Sequence, residues 1–340
     1  MVVVALDAMG GDHAPATPVE GAVAAARAYG MSVLLVGPRE TVEAELGKHR
    51  LEGLDLQVVH ASEVIGMDEH PANAVRQKTD SSIVVGMRLV KEGRAGAFVS
   101  AGNTGAMVAA GLFGLGRARG VDRPALGTIF PTVKGKILLI DVGATPDAKP
   151  EHLAQFGLMG SIYLERVFKV PKPRVGLISI GEEEGKGNLL VQQASPRLRA
   201  MPLNYVGNVE GKDIPAGAVD VGVCDGFVGN VLLKFAEGLA SSIGGIMREE
   251  LGRTWWSKLL AAGSLPAFRR ARQRMDYAEY GGAPLLGLRG LAIVAHGRSN
   301  AFAIQNALRV ARDGAELDIA RLIGEGIQQS ASATATADAE

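Results

Sequence analysis

Six short segments of the sequence set a carboxylate, amide, imidazole or amine beside glycine, the composition of a loop that can hold a ligand. They are Asp7 with Gly10-Gly11-Asp12-His13, Ser100-Ala101-Gly102-Asn103-Thr104-Gly105, Asp141-Val142-Gly143-Ala144, residues 181–188 (GEEEGKGN), Asp225-Gly226-Phe227-Val228-Gly229-Asn230, and His296-Gly297-Arg298-Ser299-Asn300. Each follows a short apolar run and leads into a helical pattern. Such a loop offers free backbone N–H groups at a helix N-terminus, where the helix dipole favours an anion. Gly10, Gly11, Gly102, Thr104, Gly185, Gly187, Gly229 and the amides of Asn188, Asn230 and Asn300 are therefore candidate substrate-binding groups. Phosphate is the anion they suit.

Lys186 between two glycines is the sharpest candidate, because it can reach a phosphate without steric obstruction. The loop is not a Walker A loop: the spacing is one residue short and no Ser or Thr follows the lysine. Glu182, Glu183 and Glu184 would repel a nucleotide triphosphate unless they point away. The other polar residues also have plainer readings. Asn103 and Thr104 suit a helix N-cap. Asp141 and Asp225 suit caps or turns, and His296 a satisfied core histidine. Cys224 sits near a helix start, yet no base adjoins it in sequence, so a small buried residue is the favoured reading. The six histidines show no ligand spacing, so no metal is expected. Gly111, Gly114 and Gly116 lie in a helical pattern rather than after a strand, so no dinucleotide cofactor is expected.

The elements that must carry these loops alternate. Strands are expected at residues 2–8, 32–37, 56–61, 95–101, 136–143, 174–181, 204–209, 220–224 and 291–295. Helices are expected at 17–29, 38–48, 72–92, 104–117, 151–168, 189–199, 229–250 and 300–312. That alternation predicts an α/β fold with a mostly parallel sheet covered on both faces. In a parallel sheet all six loops would share one edge, where open α/β sheets bind ligands.

The chain of 340 residues is 47% hydrophobic and 21% charged, ample for one large domain, expected over residues 1–328. Residues 329–340 are small and polar and read as a disordered tail. A formal net charge of zero gives no field for nucleic acid. One cysteine fits a reducing, cytoplasmic compartment. Neither a signal peptide nor a membrane span is expected. The segment 246–282 breaks the strand–helix alternation. Trp255, Trp256, Leu259 and Leu260 fall there at helical spacing, with arginines around them, and Pro266 should split the segment into a helical hairpin. That hairpin suits a subunit contact, a membrane surface or an acidic partner.

The block from Ala5 to Pro15 (ALDAMGGDHAP) resembles the signature of bacterial PlsX-type acyl-carrier-protein:phosphate acyltransferases. The resemblance continues in order through residues 100–106 (SAGNTGA), 141–153 (DVGATPDAKPEHL), 180–188 (IGEEEGKGN), 225–230 (DGFVGN) and 295–300 (AHGRSN). Two positions depart from it: Thr145, where Asn is usual, and Arg298, where Ser or Gly is usual. The resemblance implies a homodimeric α/β/α sandwich similar to isocitrate and isopropylmalate dehydrogenases and to phosphotransacetylases. It implies transfer of a fatty acyl group from acyl carrier protein to inorganic phosphate, giving acyl phosphate for phospholipid synthesis by a membrane glycerol-phosphate acyltransferase. It further implies peripheral membrane contact through the hairpin, and no cofactor.

On that reading Lys186, the glycine amides and Asn188 hold phosphate. Asn103, Asn230 and His296 donate to phosphate or to the thioester oxygen. Asp7, His13, Asp141 and Asp225 orient these groups or help proton transfer to the leaving thiolate. A short-chain phosphotransacetylase using coenzyme A, a nicotinamide-dependent dehydrogenase and a non-catalytic membrane or carrier-protein scaffold are the alternatives.

Overall fold

The structure is a computed structural model describing residues 2–254, 256, 263, 264, 266 and 277–337. Its strands are β1 (Val3–Asp7), β2 (Ser32–Gly37), β3 (Leu56–His60), β4 (Ala97–Ser100), β5 (Ala125–Thr132), β6 (Gly135–Ile140), β7 (Arg174–Ile178), β8 (Asn204–Val209), β9 (Val221–Val223), β10 (Ala283–Leu286) and β11 (Leu291–Val294). They form one 11-stranded sheet in the order β3-β2-β1-β4-β11-β10-β5-β6-β9-β7-β8. The helices are α1 (Ala16–Tyr29), α2 (Arg39–Leu46), α3 (Pro71–Gln77), α4 (Ser82–Lys91), α5 (Thr104–Ala110), α6 (Pro150–Val167), α7 (Leu189–Ala200), α8 (Asp213–Ala216), α9 (Gly226–Gly252), α10 (Ala301–Glu316) and α11 (Ile319–Ala337).

Through the centre of the sheet both faces are buried, which is why strands such as β1, β2 and β4 read as continuous apolar runs, while the edge strands β3 and β8 are partly exposed. In β1, Val4 and Leu6 join one core with Val19 and Val23 of α1 and Ile304 and Leu308 of α10. Ala5, between them, joins the other core with Ile83 of α4, Phe98 of β4 and Met107 of α5. Gly86 lets α4 lie against the sheet: a Cβ there would fall 2.1 Å from the Phe98 ring.

The sheet is mostly parallel, but its two halves run in opposite directions. Strands β3, β2, β1, β4 and β11 are mutually parallel, as are β6, β9, β7 and β8. Between them stand three antiparallel pairings: β11 with β10, β10 with β5, and β5 with β6. Three reversals put the carboxyl ends of the two halves on opposite edges. The expectation that all six loops share one edge is thus corrected. The cause is two strands that the sequence pattern conceals. β5 contains Gly127 and Pro131, and β10 is four residues long with a proline at its second position.

Smaller differences have local causes. The helix expected at 72–92 is interrupted at residues 78–81, where Ser82 N–H and Asp80 N–H bond to Glu63. The helix expected at 104–117 passes from α5 into a π-helix at Gly111–Leu115. The last helix continues to Ala337, beyond residue 328 where a tail was expected to begin. Of the expected hairpin, Trp255, Leu259 and Leu260 lie outside the described residues, while Trp256 is 60% exposed. Among the described residues no helix is long and apolar enough to cross a membrane.

Candidate functional site

The first group of loops lies at the carboxyl ends of β1, β4 and β11. Asp7 ends β1 and is only 2% exposed. Its Oδ2 accepts from Ser100 Oγ at 2.7 Å and its Oδ1 from the Met9 N–H at 3.0 Å. Ser100 Oγ accepts in turn from the Gly102 N–H at 3.0 Å. Burial pushes the Asp7 carboxyl above the usual carboxylate range, with these hydrogen bonds opposing. Gly10 has no room for a side chain, since a Cβ would meet Asp7 Oδ2 at 2.7 Å and Gly102 N at 2.8 Å. The Asp12 N–H donates to Gly297 O at 2.8 Å, which stitches the loop after β1 to the loop after β11. Gly11 lies against Gly297 and Ala101 in the same corner, and His13 is exposed at its rim.

Two amides of this group act as caps. Asn300 Oδ1 accepts from the Ala303 N–H at 2.9 Å at the start of α10. Asn103 Oδ1 accepts from the Ala106 N–H at 3.0 Å, ahead of which Thr104 opens α5. Asn103 Nδ2 donates to Gly66 O and Met67 O, each at 3.1 Å. Both ends of the Asn103 amide are therefore engaged by the protein, so that it caps α5 and also pins residues 66–67.

His296 follows β11 and is half-buried. Its Nδ1 accepts from the Arg298 N–H at 3.1 Å, so the neutral ring carries its proton on Nε2. Nε2 lies 3.9 Å from Glu237 Oε2 on α9. Burial lowers the His296 pKa, and Glu237 opposes that. A neutral His296 in this tautomer is a donor at Nε2, not a base.

The second group lies at the carboxyl ends of β6, β7 and β9. Asp141 is fully buried and accepts four backbone N–H groups, from Leu126 (2.8 Å), Gly143 (3.1 Å), Ala144 (3.0 Å) and Thr145 (2.6 Å). Burial raises its pKa against those four donors. Its two oxygens accept these four bonds in building the turn, which gives the carboxylate a structural role. Gly226 and Gly229 serve the same packing. A Cβ on Gly226 would meet Asp141 Oδ2 at 2.7 Å, and one on Gly229 would meet Asp141 O at 1.8 Å. These glycines let α9 dock on the turn. Asp225 caps α9 by accepting from the Val228 N–H at 2.9 Å.

Cys224 is 3% exposed and its Sγ donates to Asp141 O at 3.4 Å. Burial pushes the thiol well above its ordinary pKa, so no thiolate nucleophile forms there. Cys224→Ser is expected to keep turnover within about threefold of the parent and to trap no acyl-enzyme, by intact-mass measurement after mixing with an acyl donor; covalent acylation abolished by the substitution would contradict this.

The 181–188 loop follows β7. The Lys186 N–H donates to Glu183 O at 3.0 Å, and the lysine stem covers Gly181, with Cγ 2.9 Å from where a Cβ would be. Its side chain is exposed. Glu184 pairs with Arg199 of α7, which draws that carboxylate off the loop. Gly187 has φ +101°, and a Cβ there would strike Val191 at 2.6 Å, so only glycine fits. Asn188 Oδ1 caps α7 by accepting from the Val191 N–H at 3.0 Å. A cavity of about 360 Å³ opens under this loop, lined by Ile178, Ser179, Gly187, Asn188, Asp225 and Val228 among others. The N-termini of α7 and α9 both face it through their capping residues. Ser179 Oγ is buried with no hydrogen-bond partner. A second cavity, of about 210 Å³ near His60, Asp80 and Arg88, holds none of the candidate residues.

Gly187, Asn188 and Asp225 thus line one cavity, with Lys186 next to Gly187 in the same loop, while Gly10, Gly11, Gly102 and His296 gather at the opposite sheet edge. The element touching both groups is α9. Its Asn230 lies beside Gly143, and its Glu237 faces His296. Seven residues of helix separate the two, roughly 10 Å. Asn230, Lys234 and Glu237 fall at i, i+4 and i+7, one face of the helix, and Lys234 Nζ contacts Glu237 Oε2 at 3.0 Å. Sequence reasoning missed Lys234 and Glu237; their spacing from Asn230 was the available signal.

Comparison with known proteins agrees with the geometry. The family described as "Fatty acid synthesis protein" matches residues 2–322. A phosphate acyltransferase from Heliobacterium modesticaldum is 54% identical over 325 residues, covering 95% of this chain and 97% of that protein. Among solved structures, a phosphotransacetylase from Streptococcus pyogenes superposes with a TM-score of 0.62 at 17% identity, covering 93% and 94% of the two chains. A 4-hydroxythreonine-4-phosphate dehydrogenase from Klebsiella pneumoniae gives a TM-score of 0.53 at 14% identity, covering 93% and 100%. The latter two show the fold alone. The chain therefore belongs to the fatty acid synthesis protein family, a family of phosphate acyltransferases.

Proposed function

We propose that this enzyme moves a fatty acyl group from the thioester of acyl carrier protein to inorganic phosphate, releasing the carrier thiol and an acyl phosphate. The observation that carries this reading is the cavity under the 181–188 loop, where two helix N-termini and the Asn188 and Asp225 caps adjoin an apolar lining and the loop itself carries the exposed Lys186. Backbone N–H groups and Lys186 suit a phosphate dianion. Phosphate is already an anionic oxygen nucleophile, so positioning does more than activation. Holding it beside the thioester contributes roughly 7–11 kcal/mol. Donors aimed at the developing oxyanion contribute about 3–4 kcal/mol each. Asn230 is the candidate for that donor, with His296 acting at the far end of the same helix face.

The apolar stripe Val231, Phe235, Leu239 and Ile243 on α9 is exposed and recurs every four residues. It supports a homodimer, since a patch of this kind marks an interface. The tryptophan-bearing basic segment supports peripheral membrane contact, where acyl phosphate would pass to a membrane glycerol-phosphate acyltransferase in the cytoplasm. The decisive assay follows thiol release from long-chain acyl–carrier protein with and without phosphate, beside acetyl-CoA. Phosphate-dependent release from the carrier protein alone is expected. Equal or faster release from acetyl-CoA would favour a short-chain phosphotransacetylase.

A further inference from the structure

The lining of the 360 Å³ cavity is apolar over most of its area, although its mouth is polar. Leu153 of α6, Leu177 and Ile178 of β7, Val191 of α7 and Val228 of α9 enclose it below the Lys186 loop. Its volume falls within the range of small-ligand sites, about 300–1,000 Å³. One of the most exposed large apolar side chains of the protein, Ile180, 81% exposed, lines it directly. Leaving such residues in water is unfavourable unless an apolar ligand covers them. Ser179, whose buried Oγ has no protein partner, is among the lining residues. An unsatisfied hydroxyl there suits a single polar group at the head of an otherwise apolar ligand.

We propose that this cavity binds the acyl chain of the donor, with the thioester carbonyl at the Ser179–Asn188 mouth, beside Lys186, and the alkyl chain directed between Val191 and Val228 toward Leu153 and Leu177. The inference rests on the acyl-transfer reading above and adds to it the determinant of chain length. Val191 and Val228 stand on two different helices, so their separation sets how much chain the cavity accepts. The occupant is a fatty acyl chain, because Leu153, Leu177, Ile178, Ile180, Val191 and Val228 make the lining largely aliphatic.

Val191→Phe and Val228→Phe each narrow the cavity from opposite walls. The test compares kcat/KM for long- and short-chain acyl–carrier proteins in the full-length enzyme. The long-to-short ratio is expected to fall at least tenfold in each variant, because a short chain ends before the constriction. An unchanged ratio in variants that still turn over both donors would overturn the assignment while leaving acyl transfer intact. Absence of phosphate-dependent turnover of any acyl donor by the unmodified enzyme would instead remove the reading beneath it. Should a variant fail to fold, the unmodified enzyme gives the answer with a long-chain acyl–carrier protein carrying a diazirine at the chain terminus. Photolabelling of peptides containing Leu153, Leu177 or Val191 is expected, and labelling confined to other peptides rejects the cavity.

Discussion

Lys186→Ala should lower the rate of acyl phosphate formation by about 10²–10³-fold, the loss expected when one preorganised donor to developing charge is removed. Stability should stay within about 0.5 kcal/mol of the parent, because the side chain is exposed and only its stem rests on Gly181. The loss should appear mainly in the phosphate KM and in kcat, with the acyl donor's KM little changed. Lys186→Arg should recover only part of the activity, since the guanidinium is larger and its planar fork differs from a compact ammonium. Near-parent turnover in Lys186→Ala would remove the phosphate-clamp assignment.

Asp141→Ala is expected to act on folding instead. It deprives four backbone N–H groups of their acceptor, those of Leu126 and Thr145 buried and those of Gly143 and Ala144 part-buried, and each buried orphan costs about 1–3 kcal/mol. A loss of at least about 4 kcal/mol should follow, measured by denaturant unfolding at neutral pH. The same turn seats Gly226 and Gly229, so α9 should loosen with it. Asp141→Asn should be milder, because an amide oxygen can still accept at the Oδ1 position. Its folded fraction should keep substantial turnover per molecule. A stably folded Asp141→Asn enzyme with no turnover would return this carboxylate to the chemistry.

Much of the molecule was legible because its chemistry is local. Runs such as Ser32–Gly37, buried along their whole length, announce central strands, and four of the six polar loops do cap the helices that follow them. Their geometry relative to one another was not legible. The two half-sheets oppose because of β5 and β10, and neither strand carries a clear pattern: one holds a glycine and a proline, and the other has only four residues. Residue roles were likewise ambiguous. Asn103 and Asn230 have the same residue type beside glycine, yet the first is used up on its own backbone neighbours, and the second stands exposed on α9. Glu237 was hidden because it lies inside a helix rather than in a loop, and only its contact with His296 ties it to the site.

The two clusters lie at opposite sheet edges, and α9 contacts both, Asn230 beside Gly143 and Glu237 facing His296. Phosphate at the 181–188 loop and a thioester carbonyl at the neighbouring Ser179–Asn188 mouth require direct attack of phosphate oxygen on the acyl carbon. The most direct measurement supplies phosphate labelled with ¹⁸O in all four oxygens, with long-chain acyl–carrier protein as donor, and weighs the product. An acyl phosphate retaining all four labelled oxygens, formed in step with free carrier thiol, is the predicted result. Unlabelled free fatty acid, with thiol release indifferent to phosphate, would contradict it.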